Sequence, residues 1–293
     1  AEVMLQQTQL KVVIPYWERW MKIFPSLTDL ADADLHNVLL LWQGLGYYSR
    51  ANRIHESSKL LIQCVGFNRD QDPQSWPSGI DQWMSLPGIG RSTAGSIISS
   101  AFDLPTPILD GNVKRIFSRL LASERTSSKD EKRLWEFSSL LISKLKPREF
   151  NQALMDLGAI ICTPKKPSCS SCPLKDFCVA YATYDPHDFP KKEMIKRTPY
   201  QEVGIGLVFN KNGELLIDQR LETSNMGGMW EFPGGKKTTD ESIKETIERE
   251  ILEELGIVVK VGAKLLSFDH AYSHKKIHFT VHLCEWKSGK AKP

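Results

Sequence analysis

Residues 86 to 115 read LPGIGRSTAGSIISSAFDLPTPILDGNVKR. Leu86 to Gly90 form a glycine- and proline-containing turn that opens directly into a helical pattern at Arg91, and Asp110 then sits in an Asp-Gly-Asn turn that opens a second helix. Pro87 presets one turn dihedral, and Gly88 and Gly90 permit close backbone approach, so the amides that start the following helix can point at an anion. A DNA phosphate is such an anion. The same turn also joins ordinary helical hairpins, and an aspartate in front of a helix is the ordinary N-cap. What lies around the stretch has to separate these readings.

At 293 residues the chain is long for a single core and implies two domains. With 41% hydrophobic and 25% charged residues it has the composition of a soluble globular protein, and no apolar run approaches the length of a membrane helix. A net charge of +3 leaves phosphate contact to a local patch rather than to the overall field. Of six cysteines, four fall between residues 162 and 178, which without secretory features points to metal rather than disulfides and to a reducing cytoplasmic or nuclear setting. The chain opens at Ala1-Glu2 and stops just after a strand-like run, which reads as a fragment with any targeting segment out of view.

The first part is helical by periodicity. Apolar residues at helical spacing fill 2–23, with Pro15 expected as a bend or a new start, and recur over 34–43 and 50–65 with Gly-Leu-Gly as the break. Helices are expected over 91–102, 112–122, 129–145 and 149–160, with no alternating strand signal, so the class is all-α. Cys162, Cys169, Cys172 and Cys178 follow the spacing C-x6-C-x2-C-x5-C; four thiolates in a compact loop suit zinc or an iron-sulfur cluster, and their chemistry alone does not choose. Cys64 and Cys284 stand alone and read as core residues.

Residues 183–199, TYDPHDFPKKEMIKRTP, are charged, proline-rich and aperiodic, and read as a connector. From Tyr200 the pattern turns to strands: VGIGLVF, an Asn-Lys-Asn-Gly hairpin turn, then ELLIDQR, which makes the second domain, 200–293, α/β. Its helix carries Glu250, Glu253 and Glu254 on one face, opposite Ile243, Ile247 and Ile251 or Leu255. Three like charges so close repel, and a divalent cation such as magnesium would relieve them. A solvated acidic helix is the alternative.

Glu2 in EVMLQQTQL, Tyr47 and Tyr48 in WQGLGYYSRA, the hairpin with Asp110, and the four cysteines together closely resemble the helix-hairpin-helix DNA glycosylases, and within them the MutY-type adenine glycosylases, from Glu2 to Cys178 without a large gap. The resemblance implies a multidomain protein: a glycosylase domain over 1–182 including a 4Fe-4S loop at 162–178, a linker, and a Nudix-like domain. Breaking a purine N-glycosidic bond needs a proton for the departing base and a negative group beside the oxocarbenium-like sugar. By resemblance Glu2 is the acid, Asp110 the sugar-stabilising or nucleophilic carboxylate, and Asn112 their polar partner. Bifunctional relatives such as endonuclease III place a Schiff-base lysine where this chain has Ser92, so the expectation is monofunctional base removal. Some members of the family carry a catalytic tyrosine there, which this chain lacks.

A base must leave the duplex before it is attacked, and amide or aromatic side chains fill the gap. The family suggests Gln7 and Tyr47 as these wedges, with Gln6 beside them, Leu5 and Gln152 bordering the adenine pocket, and Gly88, Gly90 and Ser92 at the DNA; Lys165, Lys166 and Lys175 would give the cluster loop a basic surface.

The second domain holds the full Nudix box, G-x5-E-x7-R-E-U-x-E-E-x-G-U, from Gly235 through Glu241, Arg249, Glu250, Glu253 and Glu254 to Gly256. MutY-type enzymes usually keep the fold and lose the acids, using the domain to recognise 8-oxoguanine. This chain keeps the acids and so resembles MutT locally, with Glu285 as a further ligand by that similarity. Residues 270–274, HAYSH, still resemble the lesion-reading His-x-Phe-Ser-His loop, which makes Tyr272, Ser273 and His274 the lesion readers. The expected function is removal of adenine opposite 8-oxoguanine or guanine in duplex DNA by a cytoplasmic, nucleoid-associated monomer. Additional 8-oxo-dGTP hydrolysis with Mg²⁺ at the box, and a non-catalytic lesion-binding scaffold, are the alternatives.

Overall fold

The computed structural model describes residues 1–65, 76–123, 128–190, 199–221, 227–271 and 275–291. The chain divides into two compact units, Ala1–Glu193 and Met194–Pro293. Among the described residues no helix is long and apolar enough to cross a membrane.

The first unit is helical: α1 Glu2–Leu5, α2 Leu10–Ile23, α3 Leu27–Ala31, α4 Leu35–Trp42, α5 Ser49–Val65, α6 Ile80–Met84, α7 Arg91–Phe102, α8 Gly111–Leu120, α9 Ser128–Leu141, α10 Pro147–Asp156 and α11 Val179–Thr183. One core gathers Trp20, Val38 and Trp42 from α2 and α4. A second forms under α6 and α7 around Trp83, Leu86 and Ile98. A third packs Ile108, Val113, Phe117, Leu134 and Leu154 from α8, α9 and α10.

Local sequence chemistry sets several of the ends. Ser26 and Asp29 cap α3 reciprocally, and Asp110 caps α8 by accepting from the Val113 amide at 2.8 Å. Pro15 does not interrupt the first helical run: it lies inside α2, and the break falls at Gln6–Gln9, where Gln7 takes a left-handed φ of 56°. The reason is tertiary, because the carbonyls that would continue α1 are taken by a side chain from α5, Arg50. The run expected over 129–145 ends as α-helix at Leu141, and the turn that follows, in which Ser143 Oγ accepts from the Lys146 amide at 3.0 Å, leads to Pro147 at the start of α10. The run expected to 160 ends as α-helix at Asp156 and widens into a π-turn, Leu157–Ile161, closed by Cys162 N donating to Leu157 O at 2.7 Å.

The connector expected over 183–199 is folded in its first part. Phe189 is buried, Tyr184 meets it edge-on at 5.7 Å, and Arg119 donates to the carbonyls of Pro186 and Phe189. A charged, proline-rich segment carries no periodicity to announce such docking, because a buried cation from elsewhere in the chain holds it. Residues 191–198 lie outside the described residues.

The second unit is a mixed four-stranded sheet in the order β4-β1-β6-β5, with β1 Tyr200–Phe209, β4 Gly234–Lys236, β5 Ile257–Ala271 and β6 Lys276–Gly289, plus the short pair β2 Asp218–Gln219 and β3 Trp230–Glu231. Its helix α12, Ile243–Leu255, buries Ile247, Ile251 and Leu255 against the sheet. Gly204 and Gly206 make that approach close, since a Cβ at either would press on Ile247 or Ile251. The long strand expected over ELLIDQR reduces to a Phe209–Leu215 bridge and β2. The edge of β1 that it would extend along is already occupied by β4 and by Pro233, whose carbonyl accepts from Gly206 N.

The loop Asp103–Leu109, which leads from α7 to Asp110, lies directly on α7. A Cβ on Gly95 would overlap the Pro107 carbonyl oxygen. Gly95→Ala should therefore destabilise the first unit by about 1–3 kcal/mol through overpacking, although alanine is the better helix former. Thermal unfolding of the two proteins at one pH measures this.

Candidate active site

Helix α7 organises the candidate carboxylates. Ser96 Oγ donates to Glu2 Oε2 at 2.7 Å, and Ser92 Oγ accepts from the Leu109 amide at 3.1 Å, the residue before Asp110. Positions 92 and 96 are one turn apart and share a face. One helix face thus holds the α1 carboxylate directly and the Asp110 loop by its backbone.

Three further bonds fasten that loop. Ser138 on α9 donates to Ile108 O at 2.7 Å, Asn151 on α10 donates to Thr106 O at 3.0 Å, and Asp103 accepts from the Arg148 amide at 3.1 Å. Asp110 serves as N-cap through Oδ1, so its capping and its candidate chemical role coexist on one side chain. Asn112 follows in the first turn of α8, where its Oδ1 accepts from Arg115 at 3.0 Å and Gly158 packs against it. A side chain at 158 would displace Asn112, and only a residue without a Cβ fits there.

Gln6 ties α1 to the hairpin by donating to Gly88 O and Thr93 Oγ1, both at 3.1 Å. Gly88 has φ 78°, and Gly90 starts α7 without a side-chain cap, which leaves the first amides of the helix outward. Gln7 and Tyr47 are exposed at left-handed φ values of 56° and 50°. Leu5 packs on the first core, with its side chain partly buried. Gln152 is exposed on α10 and donates to Asp156 at 2.8 Å.

The four loop cysteines are free and line one cavity together with Arg119, Lys175 and Tyr181. Burial first, then the neighbouring sulfurs, pushes the Cys169 thiol above its usual range, and burial does the same to Cys172. Buried Arg119 donates to Cys162 Sγ at 3.3 Å and to Thr163 O at 2.8 Å; Arg115 donates to Cys162 O at 2.8 Å and to Gly158 O at 2.7 Å. Two desolvated cations beside four sulfurs suit an anionic group. Four cysteine sulfurs lining one cavity suit a metal centre held by thiolates.

In the second unit Arg249 is the hub. It donates to both oxygens of Glu241, at 2.9 and 2.8 Å, to Glu250 at 3.1 Å and to Glu253 at 3.0 Å. The Glu250 carboxylate lies against Gly235, where a Cβ would overlap it. Glu254 is exposed on the same helix, and partial desolvation, then the charges of Glu250, Glu231 and Asp218, pushes its carboxyl above the usual range. Glu285 pairs with Lys287 at 2.7 Å. Cys284 is a core thiol, pushed up to about 11 by burial. Tyr272, Ser273 and His274, as well as the side chain of Cys64, lie outside the described residues.

Residues 1–139 match the HhH-GPD superfamily base excision DNA repair protein, 162–178 the iron-sulfur binding domain of endonuclease III, and 204–293 the NUDIX domain. The adenine DNA glycosylase of Buchnera aphidicola subsp. Schizaphis graminum is 36% identical over 280 residues, which cover 95% of this chain and 77% of the relative. The chain belongs to the adenine DNA glycosylase family. The mouse adenine DNA glycosylase is 33% identical over 96% of the chain, which spans 62% of that relative's length. Among solved structures, a thermostable thymine-DNA glycosylase overlays with a TM-score of 0.55 at 26% identity, covering 62% of this chain and 81% of that one. An endonuclease III bound non-covalently to DNA shares the helical fold, with a TM-score of 0.52 at 24% identity over 61% of this chain and 80% of that one. The cysteine loop is accordingly an iron-sulfur binding domain, and the second unit a Nudix domain.

Sequence reasoning missed Ser96, Arg50, Arg115, Arg119 and Gly95. The spacing of Ser92 and Ser96 on a helix of small residues was the one visible signal; the arginines gave none.

Two outcomes follow. Arg119→Met should lower iron content and visible cluster absorbance and destabilise the first unit, because each orphaned buried carbonyl costs about 1–3 kcal/mol. Iron analysis with thermal unfolding tests it. The Arg249 bonds, then the Thr238 amide, hold the Glu241 carboxyl far below the usual range. That stabilisation is present above the ordinary carboxylate pKa and is lost as pH falls toward the folded-state value. Glu241→Gln should thus lower stability at neutral pH and narrow the gap from wild type as pH falls through the acid limb, read by denaturant midpoints across pH.

Proposed function

We propose that the protein is a monofunctional DNA glycosylase that removes adenine mispaired with 8-oxoguanine or guanine from duplex DNA. The observation that carries this is the Ser92 and Ser96 face of α7, which holds Glu2 and the Asp110 loop on one element. With Oε2 taken by Ser96, Glu2 offers Oε1 to the extruded purine and delivers the proton there. The glycosidic bond then breaks with its electron pair going to the protonated base, and Asp110 stabilises the positive sugar with the oxygen that its cap bond leaves over. Water adds to the anomeric carbon, its proton returns to a carboxylate, and adenine and an abasic sugar are the products. Ser92 replaces the lysine of bifunctional relatives and already serves the Leu109 amide, so the strand is left uncut.

Gly88, Gly90 and the first amides of α7 would hold a phosphate. Gln7 and Tyr47 would fill the vacated stack. The cysteine spacing supports a 4Fe-4S cluster held by Cys162, Cys169, Cys172 and Cys178; when bound it supplies negative charge for Arg119 and rigidity for a loop bearing Lys165, Lys166 and Lys175. Tyr272, Ser273 and His274 read the opposing lesion in this account, and the enzyme works as a monomer.

A second activity, Mg²⁺-dependent hydrolysis of an oxidised nucleoside triphosphate, is favoured by one observation: every acid of the box is kept, and the charge of Glu250 raises the Glu254 carboxyl beside it on the helix. Magnesium would be held by Glu250, Glu253 and Glu254. Against it, Arg249 occupies Glu250 and Glu253, and no three acids converge among the described residues.

Single-turnover release of adenine from a duplex with one A:8-oxoguanine pair tests the first reading. Glu2→Gln and Asp110→Asn should each slow release by about 10²–10⁴-fold with duplex binding retained. Equal rates for Asp110→Asn and wild type would sink the mechanism, and borohydride trapping as efficient as base release would sink monofunctionality. Pyrophosphate release from 8-oxo-dGTP with Mg²⁺, lost in Glu253→Gln, decides the second reading.

A further inference from the structure

We infer that Arg50 is a positioning residue that holds the two duplex-filling side chains, Gln7 and Tyr47, in their working conformation. The inference rests on the reading of those two residues given above. Arg50 is buried at 5% exposure, and its described partners include no carboxylate. Its Nη1 donates to Val3 O at 3.1 Å, Met4 O at 2.7 Å and Gln6 O at 2.6 Å; its Nη2 donates to Thr8 Oγ1 at 3.0 Å and Gly46 O at 3.2 Å. The guanidinium also lies over the rings of Trp42 and Tyr47, at 5.2 and 5.3 Å.

These contacts surround both irregular residues. Gln7 lies between two partners of Arg50, Gln6 and Thr8, and Tyr47 lies between Gly46, whose carbonyl Arg50 binds, and Tyr48. Gln7 and Tyr47 are two of four described non-glycine residues with positive φ, a conformation that costs energy unless its surroundings impose it. The planar guanidinium imposes it on two separate chain segments at once. It ends α1 by taking the carbonyls that would continue the helix, and it spans to the 46–47 turn with its second nitrogen. A lysine could supply the charge but neither the fork nor the ring stacking. Nε is buried without a partner, a cost offset by the bonds that the other two nitrogens make.

The test uses the full, cluster-loaded protein and a duplex carrying 2-aminopurine next to the target adenine, whose fluorescence rises as that base leaves the stack. Arg50→Lys should lower the rate or amplitude of extrusion by about tenfold to hundredfold, the size expected from losing charged hydrogen bonds, with visible cluster absorbance unchanged. Release of adenine opposite 8-oxoguanine in a duplex whose flanking pairs are mismatched, where there is less stacking to overcome, should fall much less. A merely structural role would lower the thermal midpoint and both rates together, and that result overturns the inference. Gln7→Ala and Tyr47→Ala are measured alongside. If neither alters extrusion, the duplex-filling reading fails and takes the inference with it; if both do and Arg50→Lys does not, only the inference fails. Should Arg50→Lys not fold, Thr8→Val removes one acceptor while keeping the arginine: weakened extrusion at an unchanged midpoint supports the inference, and unaltered extrusion overturns it.

Discussion

The close seating of residues 103–109 on helix α7 is the constraint on which the candidate chemistry depends. Gly95 lets the Pro107 carbonyl come within reach of the helix, and the Ser92 hydroxyl then meets the Leu109 amide. Asp110 follows directly, fixed by its own cap bond. One turn further along α7, Ser96 meets Glu2, which arrives from the start of the unit's sequence, 94 positions away. Small residues in RSTAGSIISS thus act as a scaffold: a helix of larger side chains would hold both neighbours off by several ångströms.

Buried arginines play the complementary part. Arg50, Arg115 and Arg119 each spend their donors largely on main-chain carbonyls in segments that are neither regular helix nor apolar core: the end of α1, the π-turn at Gly158, and the loop and turn around Cys162 and Pro186. Such segments carry the functional groups because regular structure cannot present them, and the guanidinium fork satisfies several carbonyls that a helix would otherwise pair. The cost of burying the charge falls where function needs rigidity. Arg249 repeats the device with carboxylates as acceptors, gathering Glu241, Glu250 and Glu253.

Legibility differed by feature for the same reason. The helix α7, Arg91–Phe102, and the start of α8 were readable because the turn, the small-residue helix and the Asp cap are all local. The break at Gln6–Gln9 was not, because no local signal marks it, whereas Pro15, the residue that does signal a break, is tolerated inside α2. Nor was the docking of Phe189, in a stretch whose composition resembles a linker. In the second unit the box helix was plain, while the strand after Asn210–Gly213 was foreshortened by a neighbour that already filled the sheet edge.

By itself the sequence determined the local signatures: the hairpin turn, the cysteine spacing, the box acids and the change from helical to strand periodicity at Tyr200. These hold because propensity, capping and ligand spacing act over a few residues. Only the tertiary structure decided that Ser96 would hold Glu2 across 94 positions, that Arg119 would reach both the cysteine loop and Phe189, and that Arg50 would set Gln7 and Tyr47. Most of those acceptors are main-chain carbonyls, which every residue possesses alike, so no side-chain pattern along the chain can mark which carbonyl a buried cation will find.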